Sequence, residues 1–228
     1  ATQQRPQSSS SSDPLRKHLI KQRKIGSEEA HFRFFQKDGM SMKRNVEEYR
    51  QLAEKRISGS ETYHGPLLHV YHDRVRLPNG DESGRDYIKH LGAVCIVPVT
   101  ADGRVVVERQ YRYPLDMVIT EIPAGKLDSP EEDRLSAAKR ELHEETGLTA
   151  DEWTDMGDFY SAVAYSTERI TMYLARSLHQ GEQKLDRDEF LNIETVPLEE
   201  LVQKVMNGEI VDIKTQAAIL KTARLLGV

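Results

Sequence analysis

The sequence predicts a mixed α+β sandwich, and three observations carry that expectation. Short apolar runs separated by turn residues fill residues 63–125. The hydrophobic period then changes from that of a strand to that of a helix, and strands resume before two further helices. Hairpin-length turns join several strands and few βαβ crossovers are visible, which favours mixed sheets packed against helices over a doubly wound parallel sheet.

The opening ATQQRPQSSSSSDP is low in complexity and too polar to bury, so residues 1–41 are expected to be a disordered tail or an extension. In KRNVEEYRQLAEKRI (43–57), Val46, Tyr49, Leu52 and Ala53 recur at helical spacing, which predicts a short amphipathic helix. TYHGPLLHVYHDRVRL ends at the turn signal PNG, and RDYIKHLGAVCIVPV follows. TADG leads into RVVVERQYRY as a hairpin, and MVITEIPAG is a further strand ending at Gly125. Residues 42–90 thus read as an N-terminal helix with antiparallel strands, ahead of a main domain over 91–228.

Beyond Gly125, Ser129 is the expected N-cap and Pro130 the first helical residue, while Glu131, Glu132 and Asp133 suit the positive helix end. Leu135, Ala138, Leu142 and the aliphatic part of Lys139 form a core-facing stripe, and Gly147 ends the helix as a left-handed cap. DMGDFYSAVAY, RITMYLARSL and EFLNIETV read as strands. PLEELVQKVMNG and DIKTQAAILKTARLL read as helices, the second capped by Asp212.

Charge is uneven along the 228 residues. Residues 1–60 carry 13 basic and 7 acidic side chains, and residues 61–228 carry 19 and 30. The net charge of −5 argues against nucleic acid as the principal partner, because phosphate backbones need a basic face. It leaves room for a small anion neutralised by metal ions. No run approaches the ~18 apolar residues of a membrane span, so no membrane partner is expected. LRKHLIKQRKI is too interrupted by charge to serve as the apolar part of a secretory signal. Cys95, the single cysteine, lies in the apolar run GAVCIVPV and is expected in the core, in a reducing, cytoplasmic setting. The eight histidines show no zinc-type spacing and are expected at the surface or in packing.

RELHEETG (140–147) crowds Glu141, Glu144 and Glu145 together. At about 100° per residue, the three carboxylates share one helical arc of roughly 100°. Packed like charges raise one another's pKa, whereas a hard divalent cation reverses the sign of the interaction. On this segment alone two readings stand, a solvated helix face or a cation site.

The flanks carry a resemblance. GKLDSPEEDRLSAAKRELHEETGL (125–148) resembles the Nudix box: a glycine, a glutamate, then Arg-Glu-aliphatic-x-Glu-Glu-x-Gly-aliphatic. Arg140, Glu141, Leu142, Glu144, Glu145, Gly147 and Leu148 match, and seven residues separate Glu132 from Arg140 as the pattern requires. Six residues rather than five separate Gly125 from Glu132, the extra one falling in the loop before the helix. RQYR and EIPAG ahead of the box, with STERITMYLA and DIKTQAAI after it, are similar to the ADP-ribose pyrophosphatase branch.

This resemblance, over roughly residues 63–225, implies a Nudix fold: mixed β-sheets sandwiched between helices, with an N-terminal strand-rich segment. It implies Mg²⁺-dependent hydrolysis of a nucleoside diphosphate substrate, here ADP-ribose giving AMP and ribose 5-phosphate, with two or three Mg²⁺ ions for which Mn²⁺ can substitute. Glu141, Glu144 and Glu145 would be metal ligands, with the Ala124 carbonyl as a neutral one. Arg140 would orient a glutamate, Glu132 would hold the loop to the helix, and Gly125 and Gly147 would be structural. Glu168, in SAVAYSTERI, is the matching loop glutamate, a general base or a metal ligand. The branch often has Ser-Pro-Gly earlier in that loop, where this chain has SAVAY. Arg112 corresponds to a pyrophosphate-binding arginine, and Glu121 would pair with it or touch the terminal ribose. Tyr63, Tyr71, Tyr87 and Tyr111 are candidates for adenine stacking or for ordinary strand packing. The branch also implies a homodimer in which N-terminal strands complete the partner's site.

Two rivals stand beside this reading. One keeps the chemistry and changes the substrate to GDP-mannose, NADH or FAD. The other is a non-catalytic domain sensing ADP-ribose-like ligands; such domains typically lose box glutamates and gain a DNA-binding module, whereas every acidic box position is filled here and no helix-turn-helix follows.

Overall fold

The computed structural model describes residues 49–185, 187 and 189–228. The expected tail and residues 43–48 of the expected amphipathic helix lie outside the described residues. Arg50–Leu52 form a 3₁₀ turn, and Lys55–Ile57, predicted as helix, are strand instead. The ladder to the neighbouring strand, with Lys55 opposite Arg76 and Arg56 opposite Val75, overrides the helical spacing there.

Three strands, β1 (Lys55–His64), β2 (His69–Arg76) and β3 (Glu82–Ile88), make an antiparallel sheet in the order β1-β2-β3. The expected PNG turn joins β2 to β3, with Gly80 at φ 96° and the Asp81 N–H donating to the Asn79 side chain at 3.1 Å. A second sheet runs β7-β4-β9-β8, built from β4 (Ala93–Pro98), β7 (Ala124–Lys126), β8 (Leu148–Phe159) and β9 (Ile170–Gln180). In it β4 and β9 are parallel. The third, antiparallel, runs β10-β5-β6, from β5 (Arg104–Arg112), β6 (Met117–Glu121) and β10 (Leu191–Pro197). The helices are α1 (Arg134–Thr146), α2 (Leu198–Met206) and α3 (Ile213–Leu226).

β4 is buried at every position because both of its faces are covered. Cys95, Val97 and Val99 join a core with β5, β9, α2 and α3, including Leu201, Ala218 and Ile219. Val94 and Ile96 point the other way, against Ala137, Ala138 and Leu142 of α1. The alternation of side chains along a strand divides GAVCIVPV between two cores, and the helices sandwich the mixed sheet as expected. Burial pushes the Cys95 thiol up to about 12, as suits a core residue.

Two expected boundaries move. Residues 160–165, predicted as strand, form a turn in which the Ser166 N–H donates to the Ala162 carbonyl at 2.9 Å, and β8 instead begins at Leu148. The α1 N-cap is Asp133, not Ser129: its side chain accepts from the Ser136 N–H at 2.9 Å. Pro130, Glu131 and Glu132 therefore precede the helix. Both Ser129 and Asp133 are good capping types, and the choice falls to Asp133 because Glu132 is occupied with the loop. Lys139 leaves the predicted core stripe; it is exposed, with its ammonium 6.0 Å from the centroid of the Trp153 ring. Asp133→Ala is expected to lower the urea midpoint of unfolding and Ser129→Ala to change it little; the opposite ranking would return the helix start to Ser129.

Candidate active site

One face of α1 is fixed by burial of Ala137, Ala138 and Leu142. The rest of the register brings Glu141 and Glu145 against β7. A Cβ added at Gly125 would lie 1.9 Å from the Glu141 carboxyl carbon, so a glycine is what allows this carboxylate to rest on the β7 backbone. One residue earlier, the Ala124 N–H donates to Glu145 Oε2 at 3.0 Å. Gly147 caps the helix with φ 72°, its N–H reaching the His143 carbonyl.

Arg140 stands among the carboxylates. Its Nη1 donates to Glu141 Oε1 at 2.8 Å and to Glu144 Oε2 at 3.1 Å, and its Nε donates to Glu132 Oε1 at 3.2 Å. The other oxygen of Glu132 accepts from the Asp128 N–H at 2.7 Å. Glu132 therefore links loop, Arg140 and helix, and the additional loop residue is absorbed between Gly125 and Glu132 without moving the helix register.

The bare site resists charge. Burial raises Glu141 to about 6, against the opposing pull of Arg140. Burial, then the nearby Glu108 and Glu141, push Glu145 upward, and Glu108 is raised by burial and by Glu121. Hard oxygen donors that repel one another until a cation arrives are a donor set that fits Mg²⁺.

Arg112 lies at the end of β5 and opens toward solvent, with 40% of its side chain exposed. Its Nε and Nη2 grip both oxygens of Glu121, at 2.5 and 2.8 Å, and Glu121 is almost fully buried. Burial works against the Glu121 charge, yet Arg112 and Lys214 hold its pKa below the ordinary value.

The NUDIX domain family matches residues 89–215. This chain belongs to the Nudix family. An ADP-ribose pyrophosphatase of Bacillus subtilis is 40% identical over 172 residues, 75% of this chain and 92% of that protein. An ADP-ribose pyrophosphatase of Mycobacterium tuberculosis is 35% identical over 164 residues, 71% and 79% of the two chains. The methanol dehydrogenase activator of Bacillus methanolicus is 36% identical over 168 residues, 73% and 90%. The fold is shared with a crystal structure described as an ADP compounds hydrolase, at a TM-score of 0.69 and 21% identity, covering 77% of this chain and 96% of that one. The chain is a Nudix hydrolase of the ADP-ribose pyrophosphatase branch.

Outside the Nudix box, Glu168 lies on the loop between β8 and β9. The Ser161 hydroxyl donates to its Oε2 at 2.6 Å, and His90 Nε2 is 3.7 Å from its Oε1. Ile170, Ala93 and Lys126 stand in one row across β9, β4 and β7, so this loop leaves the same sheet edge as the box loop. Among the described residues, no hydrogen bond or ion pair joins Glu168 to the box glutamates. Tyr71 and Tyr87 stack on each other at 5.6 Å across the β2–β3 ladder, and the Tyr111 hydroxyl donates to Asp116.

Sequence reasoning missed two members of this Nudix site. Lys214, near the start of α3, is bonded to Glu121 and donates to Asp212 Oδ2 at 2.9 Å. A lysine in a first helical turn opposes the helix dipole, and that conflict was the available signal that a buried carboxylate awaited it. Glu108, opposite Glu121 in the β5–β6 ladder, is 1% exposed, with no hydrogen-bond partner for Oε2 among the described residues. Its place at the end of VVVE gave no sign of this.

Two outcomes follow from the site. Removing one partner of a buried ion pair leaves the other uncompensated, so Lys214→Met is expected to lower stability by about 3 kcal/mol, read from urea unfolding; a loss near that of an exposed pair, about 0.5 kcal/mol, would contradict the burial argument. Folding raises Glu141 from 4.5 to about 6, so between those values the folded chain binds more protons than the unfolded one. Without metal, stability contributed by this group therefore falls as pH rises through that window. A divalent cation held here would need the ionised carboxylates, so calorimetry with Mg²⁺ near pH 6 is expected to show protons released on binding and an affinity that rises toward pH 8. A pH-independent affinity would show that these carboxylates do not hold the ion.

Proposed function

We propose that this Nudix hydrolase cleaves the diphosphate bridge of ADP-ribose, giving AMP and ribose 5-phosphate. The observation that carries the reading is the gathering of Glu141 and Glu144 about Arg140, with Glu145 one turn along the helix, in a chain whose relatives at 40% and 35% identity are ADP-ribose pyrophosphatases.

Glu141, Glu144, Glu145 and the Ala124 carbonyl would hold two or three Mg²⁺ ions, with Mn²⁺ as a substitute. Bound there, the ions supply charge neutralisation for the diphosphate and a more acidic water. The remaining work belongs to the chain. Arg112 receives a phosphate oxygen with the guanidinium donors that Glu121 does not engage. Arg140 keeps the glutamates in one orientation. Glu168, held by Ser161, accepts the proton of the attacking water. A P–O bond forms to that water as the bridging P–O bond breaks, and the leaving phosphate departs with the electron pair.

The same proposal includes a homodimer. The β1–β3 sheet and its hairpin tip expose Ile57, Tyr63, Leu67 and Leu68, an apolar set that a second copy would cover. A cytoplasmic setting suits the one cysteine being a buried thiol. Among the described residues no helix is long and apolar enough to cross a membrane.

A substrate panel of ADP-ribose, GDP-mannose, NADH and FAD, read as phosphate released with a coupled phosphatase, tests the assignment. ADP-ribose is expected to be turned over fastest; preference for another member moves the substrate while keeping the chemistry. Glu145→Gln keeps an acceptor for the Ala124 N–H, so it should fold, while activity falls by more than the ~10–100-fold typical of losing a supporting residue at a metal site. Near-parental rates would remove Glu145 from the mechanism, and ADP-ribose binding without turnover in the parent protein would mark a sensor.

A further inference from the structure

The hairpin of β1 and β2 ends in a feature that the pyrophosphatase reading does not use. The ladder closes at the pair His64–His69, beyond which the Gly65 N–H donates to the Leu68 carbonyl at 2.9 Å and tightens the turn. Directly paired residues project on one face of a hairpin, and the two imidazoles stand edge to face with centroids 4.4 Å apart.

Glu61 joins them through a fault in the strand. Residues three apart on a regular strand point to opposite faces. Here the register shifts between Glu61 and Tyr63, and the irregularity brings Glu61 to the side of His64. Its Oε1 lies 3.1 Å from Nδ1 of His64 and 2.8 Å from Nδ1 of His69. The three potential ligand atoms lie within 4.8 Å of one another.

We infer that Glu61, His64 and His69 form a second metal site, one for a borderline transition ion such as Zn²⁺, at the tip of the β1–β2 hairpin. Two imidazoles and a carboxylate are a zinc donor set, and three protein ligands leave a fourth position for water or another group. The box helix offers only hard oxygens, so the two sites differ in the ion they select. Spacing along the chain hides the hairpin site because Glu61 reaches it only through the strand irregularity. An ion here would clamp the turn end of the β1–β2 hairpin and stabilise the sheet that precedes β4.

The test uses the full chain, stripped with chelator and then held in excess Mg²⁺ so that the oxygen site is occupied. Zinc chloride is titrated in by calorimetry, and Co²⁺ is added separately to read the absorption of its ligand field. The expected result is one Zn²⁺ per chain, unaffected by Glu145→Gln and weakened at least about tenfold by His64→Gln or His69→Gln. Both histidines are exposed enough for the variants to fold, and a Zn²⁺-induced rise in Tm should be present in the parent and absent in the double variant. No Zn²⁺ binding in the presence of Mg²⁺, or binding of equal strength in either histidine variant, would overturn the assignment.

Discussion

Glu132, Glu141 and Glu144 can converge only because Arg140 stands among them. Its guanidinium donates to all three, and through Glu132 it also fixes the loop that leads into the helix. A lysine could not make these contacts at once, since its ammonium is a point charge without the planar fork. Of the four glutamates that match the box pattern, Glu145 alone lies outside this arrangement, and a backbone N–H holds it instead. The acidic cluster is thus partly compensated from one side, leaving the remaining charge deficit for a cation to fill.

A second chain of charges is built from other elements. Arg112 on β5 pairs with Glu121 on β6, which is bonded in turn to Lys214, and Lys214 to Asp212, the cap of α3. Thr215 strengthens the link by accepting the Ile122 N–H at 3.0 Å. The start of α3 therefore braces the strand that leads to the box. The N-terminal sheet braces the other loop: the Ile88 N–H donates to Tyr165 at 2.8 Å and the Thr167 N–H to Ile88 at 3.0 Å, which ties β3 to the segment carrying Glu168. Elements far apart in sequence thus hold the segment before the box and the Glu168 loop, because backbone hydrogen bonds and buried ion pairs tolerate little displacement.

Legibility followed the range of the interaction. The box helix, its Gly147 cap, the Asp212 cap and the core place of Cys95 were readable because period, capping and an apolar run are local properties of the chain. The start of α1 was misread because two good capping residues lie four apart and the deciding contact, Asp128 to Glu132, is in a loop. Lys55–Ile57 was misread because pairing with β2 is a long-range choice. Glu108 and the partner of Lys214 were invisible because a register between strands and a helix on another segment bring them together. The box roles came from resemblance, and the geometry now supplies a physical reason for Gly125 that spacing alone could not: the Glu141 carboxylate occupies the place of a side chain.

Repulsion at the site must be borne by the rest of the fold, and β4 explains how. Its pairing with β7 places Cys95 opposite Ala124 and Val94 opposite Gly125, the two residues that receive Glu145 and Glu141. The same β4 side chains lie in the two apolar cores, one shared with α1 and one with α2 and α3. Burying each such side chain contributes about 1.5–3 kcal/mol, and the contributions act on both faces of the strand whose neighbour carries the site. Relaxing the carboxylates apart would require moving α1 away from β7, and with it Leu142 and Ala138 out of contact with Val94 and Ile96. The apolar core thus holds the acidic residues closer than they would choose, and an incoming cation meets a site whose repulsion has already been overcome during folding.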